Sequence, residues 1–196
     1  MKLVLASSNA GKLEELRHLL ADTDIELIAQ SDLGVTDADE TATTFVENAL
    51  IKARHASRLT GLPALADDSG ICVDALNGAP GLYSARYAGE HGNAGRNIDK
   101  LLEALTGVPD ERRTAHFYCV LVLLHHADDP QPLIVEGEWR GRILHARRGT
   151  GGHGYDPVFL DPELGRSAAE LEAALKNRIS HRGRALAALR ERLTWS

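Results

Sequence analysis

The stretch Phe117 to Leu124 is the longest unbroken apolar run in the chain and constrains the fold more than any other segment. It suits one buried strand, and it falls well short of the ~18 to 20 residues that a membrane span needs. Thr114 to His125 therefore reads as a long strand. Asp128-Asp129-Pro130 turns the chain, and Leu133 to Trp139 pairs back as a hairpin. The chain begins differently. Met1 to Ala6 reads as a strand ending in Ser7-Ser8-Asn9, after which Leu13, Leu16, Leu19 and Leu20 share one helical face. Ser8 or Asn9 can cap that helix. A βα start joined to a hairpin middle implies a mixed α/β sheet.

The remaining elements follow from the same signals. Ile25 to Ile28 is a short strand, and Gly34 to Thr43 is a polar, acidic loop. Thr44 and Glu47 form a capping-box pair for a second helix, with Val46, Ala49, Leu50 and Ala53 as its apolar stripe. Gly61-Leu62-Pro63 ends it. Ala64 to Ala66 is a short strand running into Asp67-Asp68-Ser69-Gly70, and Ile71 to Val73 continues as another. Asn77 to Gly81 is turn-rich. Ile98, Leu101, Leu102 and Leu105 mark a third helix. Gly149 to Gly154 is a glycine-rich loop, and Ser180 caps a last helix carrying Leu186, Leu189 and Leu193. With no linker in sight, residues 1–196 read as a single domain with two lobes around a cleft.

Composition removes several classes of function. Apolar residues make up 43% and charged residues 26%, ordinary for a globular protein. The 22 Lys+Arg stand against 28 Asp+Glu, a net charge of −6. That balance argues against a nucleic-acid polymer or a membrane surface as partner, while leaving room for a local basic site for one nucleotide. The N-terminus has one Lys and a very short apolar stretch, too little for a signal peptide. Cys72 and Cys119 lie far apart in apolar stretches, which reads as two buried reduced thiols and a cytoplasmic protein. No Cys-x-x-Cys or His-x-x-x-His pair stands near either one, which argues against zinc.

Five segments can carry chemistry. Ser7-Ser8-Asn9-Ala10-Gly11-Lys12 joins strand to helix, where free N–H groups and a partial positive charge suit a phosphate. The Walker spacing is absent, and a capped helix with a surface lysine is the plain alternative. Asn48 and Lys52 stand four apart on one face of the second helix, a ligand-facing pair or an ordinary polar face. In Asp67-Asp68-Ser69-Gly70 neighbouring side chains point oppositely, so only one Asp faces a given pocket. That carboxylate can hold Mg²⁺ or take a proton from an attacking water, unless the segment is simply a turn. Asp37, Asp39 and Glu40 are candidates for a second metal ligand. Gly149 to Pro157 permits close approach of a flat or anionic ligand, with His153 and Tyr155 placed to stack on a base, or forms a long turn. Lys176 with Ser180-His181-Arg182-Gly183 is a donor-rich helix start or a charged helix end.

Taken in order, Ser-x-Asn-x-x-Lys, Thr-Phe-x-Glu-Asn-Ala-x-x-Lys-Ala, Ala-Asp-Asp-Ser-Gly, Gly-Ala-Pro-Gly-x-Tyr-Ser-Ala-Arg, Gly-Thr-Gly-Gly-x-Gly-Tyr-Asp-Pro and Ile-Ser-His-Arg-Gly run from residue 7 to 183. As a set they closely resemble the inosine/xanthosine triphosphate pyrophosphatase family, enzymes that cleave noncanonical purine nucleoside triphosphates. The resemblance implies an elongated mixed sheet with flanking helices, two lobes around a central cleft, and a homodimer. It implies Mg²⁺-dependent hydrolysis of ITP, dITP or XTP to the monophosphate and pyrophosphate. Asp68 looks like the proton acceptor and a metal ligand, and Glu40 like the second metal carboxylate. Ser7, Ser8, Asn9, Ala10, Gly11 and Lys12, joined by Ser69, look like the triphosphate cradle. Lys52 looks like a catalytic-site lysine near the phosphates. His153, Gly154, Tyr155, Asp156, Lys176, His181 and Arg182 look like the nucleoside-binding side. The family usually has Phe where this chain has His153, which gives less apolar area for stacking and a ring that can carry charge.

On that basis Lys12, Lys52 and the first-helix N–H groups are expected to neutralise charge on the leaving pyrophosphate, and donors from Ser180 to Arg182 to match a 6-keto purine. A nucleotide-binding module without hydrolysis is the alternative, and it has no need of two metal carboxylates.

Overall fold

The computed structural model describes residues 1–89 and 91–193. Its strands are β1 (Lys2–Leu5), β2 (Glu26–Ala29), β3 (Ala64–Val73), β4 (Thr114–Leu124), β5 (Leu133–Ile143), β6 (Phe159–Asp161) and β7 (Arg166–Ser167). They form one mixed sheet in the order β2-β1-β3-β4-β5-β6-β7. The helices are α1 (Ala10–Leu19), α2 (Phe45–Thr60), α3 (Ala94–Ala104), α4 (Ala173–Ile179) and α5 (His181–Leu193). The chain divides into two compact units. Met1–Asp68, Cys119–Gly137 and the stretch from Arg182 make the first; Ser69–Tyr118 and Glu138–His181 make the second.

In the first unit β1 pairs in parallel with both β2 and β3. Parallel neighbours require crossovers, and α1 and α2 supply them. Along β1, Leu3 and Leu5 join Leu16, Leu27, Leu65, Leu121, Leu123, Leu186 and Leu189 in one core. α2 packs against β1 through small residues: Ala49, Ala53 and Ala56 are fully buried. Its inward face also carries Asn48 and Ser57, while Val46 and Leu50 of the expected stripe are only half-buried. Ser57 is satisfied by donating to the Leu62 carbonyl. Asn9 Oδ1 accepts from Lys12 N, Thr44 Oγ1 accepts from Glu47 N, and Gly61 closes α2 in the left-handed region with φ +71°.

The largest departure lies in β3. Asp67-Asp68-Ser69-Gly70 does not join two strands; one strand runs unbroken from Ala64 to Val73. Carboxylates normally leave a strand for water. Here each has a cation at hand, so the backbone stays extended.

The second unit packs Ile71, Val73, Ile98, Leu101, Leu105, Phe117, Trp139, Tyr155 and Phe159 together. Phe117 and Phe159 lie 4.5 Å apart, and Trp139 meets Phe159 edge-on at 5.0 Å. Trp139 Nε1 donates to buried Asp161 Oδ2 at 2.9 Å, which satisfies both polar groups inside the core. Sequence periodicity did not reveal β6, β7 or α4, which are too short to show a period. Both cysteines are free. Cys119 is buried as expected, but Cys72 is only half-buried. Among the described residues no helix is long and apolar enough to cross a membrane.

Candidate active site

Adjacent carboxylates on β3 take opposite sides, as strand geometry requires. Asp68 meets Lys52, which projects from α2: Nζ donates to Asp68 Oδ1 at 2.9 Å and to the Asp67 carbonyl at 2.9 Å. The same ammonium lies 3.5 Å from Glu40 Oε1. Lys52 therefore sits between the two acids expected to bind metal, rather than standing free beside them. Burial would push its ammonium down, but Asp68 and Glu40 together hold it above its ordinary range. Asp68 responds in the opposite sense. Burial raises its carboxyl above the ordinary value, and the pull of Lys52 only partly offsets that. Its second oxygen, Oδ2, is buried with no hydrogen-bond partner. A buried, unpartnered carboxylate oxygen is costly, and it is the donor atom that a divalent cation or an activated water would use.

Glu40 reaches Lys52 because its loop is tied at several points. Ala42 N donates to Asn48 Oδ1, and His55 Nε2 pairs with the Thr36 carbonyl. Asp37 is held by Ser8 Oγ and by Gln30 Nε2, which commits it to the loop rather than to a metal. Asn48, four residues before Lys52, thus uses its side-chain oxygen to tie the loop.

Asp67 is fully buried on the other side. Lys12 Nζ approaches Oδ1 at 2.5 Å, Arg182 Nε donates to Oδ2 at 2.8 Å, and Cys119 Sγ lies 3.2 Å from Oδ2. Arg182 Nη1 also donates to Glu15 Oε2 at 2.5 Å. Burial alone would raise the Asp67 carboxyl. Arg182 and then Lys12 outweigh it, and the group lies well below the usual carboxylate range. Burial likewise pushes the Cys119 thiol far up, so it remains protonated.

The cradle segment is organised by its own short bonds. Ser7 Oγ accepts from Asn9 N, Asn9 Oδ1 caps Lys12 N, and Ser8 Oγ donates to Asp37. Ser8 was expected as a donor to phosphate, and that proton is used on Asp37. Ala10 and Gly11 are the exposed first residues of α1, where backbone N–H groups have no carbonyl one turn back.

His153, Gly154, Tyr155, Asp156, Lys176 and His181 belong to the second unit, as does half-buried Ser69. Asp156 is buried, is paired with Lys176, and accepts His153 N at 2.8 Å through Oδ2. This pins the loop while leaving the His153 ring exposed. Tyr155 was expected to stack on a base. Its ring is instead part of the core, and its hydroxyl donates to the Ser84 carbonyl at 2.7 Å. His181 stacks on Phe117 at 4.8 Å with planes 13° apart. Arg182 belongs to the first unit and is nine-tenths buried, and a buried guanidinium needs carboxylates, which Asp67 and Glu15 provide. Glu15 and Cys119 were missed by sequence reading. Glu15 stands three residues after Lys12, a same-face spacing that was available as a signal. Cys119, inside an apolar run, offered none.

These features define an α/β protein with a buried charge cluster at the β1–α1 junction and midway along β3. The chain belongs to the Ham1 family, whose family model matches residues 3–192. It is 66% identical over 191 residues to a protein of Xanthomonas campestris pv. campestris (strain 8004) named dITP/XTP pyrophosphatase, covering 97% of this chain and 96% of the relative. A relative of the same name from Thioalkalivibrio sulfidiphilus is 61% identical, with 98% of each chain covered. Among solved structures, a HAM1 protein from Coxiella burnetii matches with a TM-score of 0.94 at 51% identity over 100% of both chains. The Staphylococcus aureus Ham1 protein matches at 0.89 and 38%, over 98% of both.

Proposed function

We propose that this chain hydrolyses noncanonical purine nucleoside triphosphates, namely ITP, dITP and XTP, to the monophosphate and pyrophosphate. Relatives of nearly identical length that carry the name dITP/XTP pyrophosphatase support the substrate class. The observation that carries the chemistry is Asp68: buried, one oxygen on Lys52, the other without a partner.

The residues present suit Mg²⁺. Asp68 Oδ2 and Glu40 are oxygen donors set about one ammonium, and oxygen is what this cation prefers. No group of three or more His, Cys, Asp and Glu side chains gathers at metal-binding distance among the described residues. Two carboxylates would therefore hold the ion, with substrate phosphate oxygens filling its shell. When bound, Mg²⁺ neutralises phosphate charge and acidifies coordinated water.

The protein's own groups do the rest. Asp68 takes a proton from a water that attacks the α-phosphorus. The bond from that phosphorus to the bridging oxygen breaks, and pyrophosphate leaves. The raised Asp68 carboxyl is a stronger base than an exposed one. Lys52 holds Asp68 and Glu40 in register, and Lys12 and the first N–H groups of α1 face the charge that builds on the leaving group. His153, Asp156 and Lys176 serve the nucleoside. With Arg182 committed to Asp67 and Glu15, base discrimination rests on the remaining donors of the Ser180–His181 segment. The proposal includes a cytoplasmic setting and a homodimer, which sedimentation equilibrium tests. Incubation with Mg²⁺ and a panel of ITP, XTP, dITP, ATP and GTP, with pyrophosphate and orthophosphate measured separately, tests the reaction. Orthophosphate release, or nucleotide binding without turnover, refutes it.

A further inference from the structure

The charge cluster behind Asp68 contains one acid that no step above uses. Glu15 sits on α1 one turn beyond Lys12, and its side chain is 16% exposed. Its partner Arg182 lies in the first turn of α5, where a cation opposes the helix dipole, and is buried as well. Two independent costs thus fall on Arg182, and two carboxylates, Asp67 and Glu15, offset them. Asp67 in turn divides its oxygens: Oδ2 takes Arg182 and Oδ1 takes Lys12. Across Lys12, Arg182, Asp67 and Glu15 the formal charge is zero only when Glu15 is included.

We propose that Glu15 is a positioning residue for the hydrolysis: it holds Arg182 so that Asp67 keeps one oxygen for Lys12, whose ammonium is thereby anchored. This rests on the reaction proposed above. Without Glu15, Arg182 keeps its charge and has lost one of its carboxylates. Asp67 then turns both oxygens to the guanidinium, a bidentate pairing that Arg favours, and Lys12 loses its anchor. Glu15 touches neither Asp68 nor Lys52 in this arrangement, so its effect must travel through Lys12.

A double-mutant cycle on the full chain tests this, with kcat and KM for dITP measured well below each variant's unfolding temperature. Glu15→Gln is expected to lower kcat/KM about tenfold in the parent and less than about twofold in a Lys12→Ala background, because coupled residues are not additive. Glu15→Asp, which keeps the charge, is expected to recover most of the loss; Glu15→Ala, which also removes the carboxylate, carries the same comparison if Glu15→Gln does not fold. An equal loss in both backgrounds makes Glu15 a structural residue only and overturns the proposal, as does a loss under about twofold in the parent. If the parent itself releases no pyrophosphate, the reaction assigned above has failed; an active parent with an additive cycle sinks this inference alone.

Discussion

Asp68→Asn separates catalysis from folding at the centre of the site. The amide keeps the shape and an acceptor for Lys52 but cannot take a proton. General-base assistance is worth roughly 10²- to 10⁴-fold in rate, or about 2.7 to 5.5 kcal/mol of barrier. The effect on stability should be far smaller. Burial outweighs Lys52 at this carboxyl and raises it, so the fold already favours the neutral form. Lys52 also retains the Asp67 carbonyl at 2.9 Å and Glu40 at 3.5 Å. The expected change is within about 1 to 2 kcal/mol, the scale of one altered hydrogen bond. Its sign depends on pH. A carboxyl raised in the folded state penalises the fold as pH climbs past that raised value, so the variant gains relative to the parent on the alkaline side. Pyrophosphate release from dITP with Mg²⁺ gives the first quantity, and urea unfolding at several pH values the second. Turnover within tenfold of the parent would refute Asp68 as the proton acceptor. A loss of more than about 3 kcal/mol would mean that the Lys52 pair is structural.

Asp67→Asn leaves Arg182 and Lys12 without their shared charge and should cost about 3 to 5 kcal/mol at pH 7 by urea unfolding. Because the Asp67 carboxyl is lowered in the fold, the parent keeps this contribution above the ordinary carboxylate range and loses it as pH falls through the lowered value; the variant should show no such acid-dependent loss. Gly152→Ala combines φ +70° with a Cβ only 2.0 Å from Asp156 Oδ2, the atom that holds His153 N. It should raise KM several-fold and lower stability by more than Gly154→Ala, where φ is +56° but space is open and the cost is about 1 to 2 kcal/mol; equal effects on unfolding would contradict the packing argument. Trp139→Phe strips Asp161 Oδ2 of a buried donor and should cost about 1 to 3 kcal/mol in the same denaturation assay.

Much of this architecture was legible because local rules wrote it. Asn9 and Thr44 cap helices where their spacing predicts, and Gly61 stops α2 in the left-handed backbone that glycine adopts at no steric cost. The run Phe117 to Leu124 is a central strand, since so many apolar side chains have nowhere else to go. That one Asp of the pair faces Lys52 and the other faces away follows from strand alternation alone. β6, β7 and α4 were illegible because two to seven residues cannot display a period.

Other features required the tertiary structure. Residues 67, 119 and 182 are far apart in the chain, and no spacing rule links them. They meet because β3, β4 and α5 converge, and a buried carboxylate draws whatever cations the packing brings near. The unbroken course of β3 through two acids has the same cause: tertiary ion pairs made a turn unnecessary. Tyr155, polar enough to suggest a ligand contact, went into the core because the Ser84 carbonyl was there to take its hydroxyl. Residue identity and periodicity set which chemistry this chain can perform and which face each helix and strand shows. Which charge answers which depends on desolvation and distance, and those exist only once the chain has folded.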